Sequence, residues 1–158
     1  MSQPSAIDLA TGALTIQQPR VVLGSDLTRA RFDALPIGLQ CRLIREAAHW
    51  SLFLIPTAEI SGEVFSVSIR FHEERLDCVA LTCGRPEFGL SLNELSAEKE
   101  QARQRCHNDW LHQQLDGLPG TQSQGPDAPT WGWSFPWGEI VSGWDVKNGT
   151  TEIVIDYR

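Results

Sequence analysis

Glu63-Val64-Phe65-Ser66-Val67-Ser68-Ile69-Arg70-Phe71 alternates apolar and polar side chains. In an extended chain Phe65, Val67, Ile69 and Phe71 share one side, and Ser66, Ser68 and Arg70 the other. A period of two over this length predicts a β-strand with one buried face. Downstream, His72-Glu73-Glu74-Arg75 reads as a polar reversal and Leu76 to Cys83 as the returning strand. Upstream, Trp50 to Ile55 is strand-like and is expected to stop at Pro56, which lacks a backbone donor. The middle of the chain therefore predicts an antiparallel meander.

The flanks supply the remaining elements. Ile7 and Leu9, a Thr11-Gly12 turn, and Leu14 and Ile16 read as an opening hairpin. A short helix from Thr28 to Leu35, capped by Ser25 or Asp26, would stop at Pro36. Ser96 is the expected cap of a long helix, with Glu98 in its first turn. Ala102, Cys106 and Trp110 recur every four residues, with Leu111, Leu115 and Leu118 beside them; Lys99, Arg103 and Asp109 take the solvent side. That pattern predicts an amphipathic helix lying on the sheet and covering Phe65 to Phe71. Residues 119–131 are rich in Gly, Pro, Ser and Gln and read as a flexible loop. Trp137 to Trp144, a turn at Lys147-Asn148-Gly149, and Thr150 to Tyr157 read as a C-terminal hairpin. The expectation is a single α+β domain over 1–158: an antiparallel meander, one long helix on one face, and a terminal hairpin.

The 158 residues are 41% hydrophobic and 21% charged, the balance of a folded chain. Twenty acidic groups against thirteen Lys and Arg give a formal charge of −7. That balance opposes binding to nucleic acid or an anionic membrane, and it suits a cationic partner. No apolar run approaches the roughly 20 residues of a membrane span, and residues 1–20 lack a secretory pattern. A cytoplasmic location and reduced cysteines are the corresponding expectations.

No nucleotide-binding, metalloprotease or hydrolase motif is present, so no catalytic residue and no cofactor is assigned. His107 and His112 are five apart on the long helix, a rotation of about 140 degrees, which does not bring two metal ligands together. Cys41, Cys78, Cys83 and Cys106 form no C-x-x-C pair, and no metal site is expected among them. Cys78 and Cys83, five apart on one strand, should face opposite sides. Four of the six tryptophans (Trp131, Trp133, Trp137 and Trp144) fall within 14 positions. They read either as core against the helix or as a recognition surface. Candidate partner-binding residues are Glu73 and Glu74 at the hairpin tip, Glu87 and Asp127 in loops, and Trp131 and Trp133.

Three segments carry a resemblance: the opening IDLATGALTI, the helix SAEKEQARQRCHNDWLHQQL with its His107-x-x-Trp110-Leu111, and the ending FPWGEIVSGWDVKNGTTEIVIDYR with Pro136-Trp137-Gly138. Together they resemble a family of small bacterial proteins similar to immunity proteins of polymorphic or type VI secreted toxins. The likeness covers most of the chain outside residues 17–40 and the loop at 119–131. It implies a non-catalytic module that binds and neutralises a cognate toxin, which could present a basic cleft. A secretion-system adaptor, or a small enzyme or ligand-binding protein with an unrecognised pocket, are the alternative expectations. The growth phenotype of co-expression with a neighbouring toxin gene separates the first from the others.

Overall fold

A computed structural model describes residues 3–89, 91–124, 129–145 and 149–158. Among these described residues, ten strands and two α-helices follow in chain order: β1 Leu14–Ile16, β2 Val21–Leu23, α1 Arg29–Asp33, β3 Arg42–Glu46, β4 Trp50–Ile60, β5 Glu63–His72, β6 Arg75–Cys83, α2 Ala97–Gln114, β7 Thr121–Ser123, β8 Thr130–Phe135, β9 Gly138–Asp145 and β10 Thr150–Tyr157. Eight strands form one antiparallel sheet in the order β3-β4-β5-β6-β10-β9-β8-β7, and β1 and β2 form a small second sheet. The architecture is α+β, mostly antiparallel sheet with one main helix.

Residues directly opposite in an antiparallel ladder point to the same side, so the register defines the core rows. Ile55, Val67, Leu81, Ile153 and Ser142 lie in one row across β4, β5, β6, β10 and β9. Phe53, Ile69, Val79, Ile155 and Ile140 form the next row, and every member of both is buried. The alternation from Phe65 to Phe71 points inward as expected. Its covering is divided, however. Phe65 packs against Trp110 of α2, with ring centroids 5.0 Å apart, whereas Phe71 packs against Phe32 of α1 at 5.1 Å. Ala6, Ile7, Leu14, Ile16 and Leu23 from the N-terminal segment join the same core. The Tyr157 hydroxyl donates to Gly12 O at 2.8 Å and so ties the last strand to the opening turn.

Several sequence expectations shift in the structure. β4 runs through Pro56 to Ile60 because a bulge between Ile55 and Ala58 places the proline where no ladder bond is needed. The opening hairpin is reduced to one bridge, Ile7 with Leu14, and β1 takes β2 beyond Pro19 as its full partner. Thr28, not Ser25 or Asp26, caps α1: its Oγ1 accepts the Arg31 N–H at 3.2 Å. Within 119–131, β7 pairs with β8, so Trp131 sits on a strand. The segment Arg42-Leu43-Ile44-Arg45-Glu46 has no alternation and so gives no strand signal; as edge strand β3 it is exposed throughout. The meander breaks where β10 inserts between β6 and β9.

Helix α2 is capped by Ser96, whose Oγ accepts the Lys99 N–H at 3.2 Å. Its buried face is rotated from the expected one. Glu100, Arg103, Gln104, His107, Trp110, Leu111 and Gln114 are buried, whereas Ala102 and Cys106 are half-buried flanks. Arg103, expected in solvent, points into the protein. The face keeps helical spacing but is largely polar, so the helix is not amphipathic in the expected sense. It is tolerated because most of the polar groups are paired, Arg103 Nε and His107 Nδ1 being the exceptions: Gln104 Nε2 donates to Pro129 O, Gln114 Oε1 accepts the Ala6 N–H, and Gln114 Nε2 donates to Ser61 Oγ.

The opposite face of the sheet carries Trp50, Leu52, Ser68, Arg70, Ala80 and Asp156, none of them fully buried, together with the buried Cys78. No helix among the described residues is long and apolar enough to cross a membrane.

Candidate functional site

A tight turn at Ser61-Gly62, with both residues at positive φ (49° and 79°), starts β5 with Glu63 directed toward the end of β6. There β6 ends at Cys83, and the middle of α2 brings Cys106 over it. The two sulfurs are 3.4 Å apart. Glu63 Oε1 lies 3.7 Å from Cys83 Sγ, and Glu63 Oε2 lies 4.0 Å from Cys106 Sγ. Among the described residues this is the one place where three metal-ligating side chains have donor atoms within 4.8 Å of one another. The chain leaves β6 through Gly84, and Arg85 turns back on Glu63, donating from Nε at 3.0 Å and from Nη2 at 2.5 Å.

Electrostatics separate the three groups. Burial raises the Glu63 carboxyl, but the bonds from Arg85 and the Val64 N–H outweigh it and hold the group below its ordinary value. Burial pushes the Cys83 thiol up to about 12 and also raises Cys106. The cluster is therefore an ionised carboxylate beside two protonated thiols at neutral pH, which is not the environment of a thiolate nucleophile. Cys41 and Cys78 are free and lie elsewhere, Cys78 on the opposite face of β6 from Cys83 as the odd spacing requires. Sequence spacing carries no sign of the Cys83–Cys106 pair, since 23 residues separate the partners.

His107 is fully buried beneath this cluster. Its Nε2 accepts the Cys83 N–H at 2.9 Å, while Nδ1 has no partner among the described residues. Burial, with a smaller push from the Arg103 cation and against the pull of Glu63, lowers its pKa to about 3. An unfolded chain would take up this proton near pH 6.5. The unfolded state thus binds more protons between about 6.5 and 3, and the histidine's stabilising contribution is whole above that window and lost as pH falls through it. Stability should drop by at most ~1.4 kcal/mol per pH unit on this account. His107→Gln keeps an acceptor for Cys83 and should flatten the slope of urea midpoints from pH 7 to 5. Identical slopes in the two proteins would contradict this role.

The residues singled out from sequence do not converge. Glu73 and Glu74 are exposed at the β5–β6 turn, where Glu73 Oε1 is 2.9 Å from His49 Nδ1. Glu87 is exposed in a short 3-10 turn (Pro86–Phe88) at the far end of β6. Trp131 and Trp133 lie on β8, near the β7 edge of the sheet, and are half-buried on the side of Ser142 and Ile140. The Trp133 indole donates to Leu118 O at 3.0 Å, and a Cβ on Gly120 would stand 2.7 Å from its ring. Trp133 thus clamps the connection after α2. Trp137 covers Gly12, stacks on Phe135 at 4.9 Å and donates to Leu9 O. Asp127 lies outside the described residues.

At the Glu73–Glu74 end, two neighbouring hollows share His72 and Asp77. One is lined by Trp50, Leu52 and Arg70, the other by Glu73, Glu74, Arg75 and Arg158. Arg70 Nη2 lies 2.6 Å from Asp77 Oδ2, and the Arg45 guanidinium sits 5.4 Å from the Trp50 ring. Burial, and then the neighbouring Asp77, raises the Asp156 carboxyl on the same face. Comparison with known proteins adds no family: no protein-family model, curated protein or solved structure matches the chain.

Proposed function

We propose that this protein is a protein-binding module of the immunity type, which occludes a cationic toxin with the Trp50 face of the sheet at the β5–β6 end. The observation that carries the reading is the hollow around Trp50: a half-buried indole and Leu52 at its centre, with Arg70, His72 and Asp77 around them. An aromatic centre inside a charged rim is the usual make-up of an interface hot spot. Glu73 and Glu74 extend that rim with negative charge. Edge strand β3 borders the same face, with Arg45 opposite Leu52 and its guanidinium over the Trp50 ring. The net charge of −7 favours a basic partner for the molecule as a whole, while the two hollows themselves are lined by three carboxylates and three arginines.

Co-expression with a toxin encoded beside the gene tests the reading, scored by growth rescue and by co-purification of the two proteins. Given that complex, Glu73→Lys/Glu74→Lys should slow association about tenfold at low salt, with the difference shrinking as salt rises. Trp50→Ala should speed dissociation and weaken binding by ~2 kcal/mol without lowering the melting temperature by more than a few degrees. Unchanged kinetics for both variants would move the interface away from this end of the sheet. Failure of the neighbouring toxin to bind at all would overturn the immunity reading.

A further inference from the structure

We propose that Cys83, Cys106 and Glu63 form a binding site for a thiophilic divalent cation of the zinc class. The site lies at the opposite end of β5 from the Trp50 hollow and does not depend on the toxin-binding reading.

Geometry is the first argument. Tetrahedral zinc, with bonds of ~2.3 Å to sulfur and ~2.1 Å to oxygen, sets its sulfur–sulfur edges near 3.8 Å and its sulfur–oxygen edges near 3.6 Å. Here the sulfurs are 3.4 Å apart, and each faces a different Glu63 oxygen: Oε1 lies 3.7 Å from Cys83 Sγ and Oε2 lies 4.0 Å from Cys106 Sγ. One donor atom of each residue already lies within 4.8 Å of the other two, so a reorientation of the Glu63 carboxylate with small shifts of the sulfurs brings three donors to coordination distance. Donors from the start of one strand, the end of its neighbour and a helix 23 residues away meet in this way without any disulfide between the sulfurs.

Chemistry and charge agree with the geometry. Two sulfurs beside one carboxylate select a borderline or soft cation over calcium or magnesium, which take oxygen ligands. When the ion enters, each thiol gives its proton to solvent. Two thiolates, Glu63 and Arg85 then sum to −2, which a dication neutralises. Arg85 grips Glu63 from the side, and His107 accepts the backbone N–H of Cys83, so both ligands are held by an outer layer of hydrogen bonds. A hollow lined by Ser61, Gly62, Arg85, Asp109, Trp110 and Gln113 reaches Cys106 and Glu63. It provides the path of entry and room for water as the fourth ligand.

The test uses the full chain under a non-thiol reductant, titrated with Zn2+ against a chromophoric chelator. A parallel titration with Cd2+ reads the thiolate-to-metal charge-transfer absorption. One Zn2+ per chain is expected. Cys106→Ser and Cys83→Ser should each weaken Zn2+ binding at least ~100-fold, and Glu63→Gln about tenfold. The cadmium band should fall in each cysteine variant and vanish in the double variant. Cys41→Ser and Cys78→Ser should bind as the parent does. Cys83 is buried, so each variant is checked by thermal melting; if Cys83→Ser fails to fold, the half-exposed Cys106→Ser decides. No stoichiometric Zn2+ binding by the parent would overturn the proposal, as would binding that survives Cys106→Ser or falls equally with Cys41→Ser and Cys78→Ser.

Discussion

Arg103→Met should destabilise the protein by roughly 3–5 kcal/mol, the cost of stranding a buried charge. The Arg103 side chain is 4% exposed and that of Glu100 1%, with Nη1 and Oε1 2.5 Å apart. Arg103 Nη2 also donates to Phe88 O and Gly89 O, at 2.8 and 2.6 Å, fastening the loop after β6 to the helix. The second Glu100 oxygen accepts the Thr151 N–H at 2.8 Å and so ties the helix to β10. With the guanidinium gone, the carboxylate faces a low-dielectric interior with only the N–H and hydroxyl of Thr151, and two carbonyls lose their donor. The melting temperature should fall by ~10 °C for a chain of this size. Glu100→Gln/Arg103→Met removes the stranded charge, so it should be clearly more stable than the sum of the single variants, a coupling of at least ~1 kcal/mol. Urea unfolding of the four proteins completes the cycle. A single-variant loss under about 1 kcal/mol, or strict additivity, would show that the pair is not the buried tie described above.

Phe65→Ala should cost a similar ~3–5 kcal/mol, by a different cause. Phe65 is fully buried where α2 rests on the sheet, edge to face with Trp110 at 5.0 Å and stacked near His107 at 6.3 Å. Truncation removes the apolar transfer energy of the ring and leaves a cavity that the flanking ladders, Ala58 on one side and Cys83 on the other, prevent from closing. Val64→Ala, one residue away on the outward side, should cost no more than ~0.5 kcal/mol. Chemical denaturation followed by tryptophan emission reports both stability and the environment of Trp110. Equal losses at positions 64 and 65 would contradict the assigned register.

Local patterns are reliable guides where a residue's neighbours along the chain set its fate. The alternation from Phe65 to Phe71, the reversal at Glu73, the Ser96 cap and the two strands of the C-terminal hairpin all depend on a few consecutive residues, and all are legible in the amino-acid sequence; Lys147 and Asn148 of the expected turn lie outside the described residues. Pro56 misleads because a bulge in the ladder removes the need for its missing N–H. The α2 face misleads because hydrophobicity cannot mark Glu100, Arg103, Gln104 and His107 as buried. Their burial is tolerable only through partners at Phe88, Thr151, Pro129 and Cys83.

The candidate sites divide in the same way. Acidic tips such as Glu73 and Glu74 are visible in the sequence because turns are exposed and charges stay solvated. The meeting of Glu63, Cys83 and Cys106 is not, since it follows from strand pairing and helix placement together. The side-chain period of a strand is a property of the backbone, so a run of residues is enough to reveal it. Which strand lies beside which, as with β10 between β6 and β9, is settled by the mutual burial of distant rows, an interaction that no short window of residues contains.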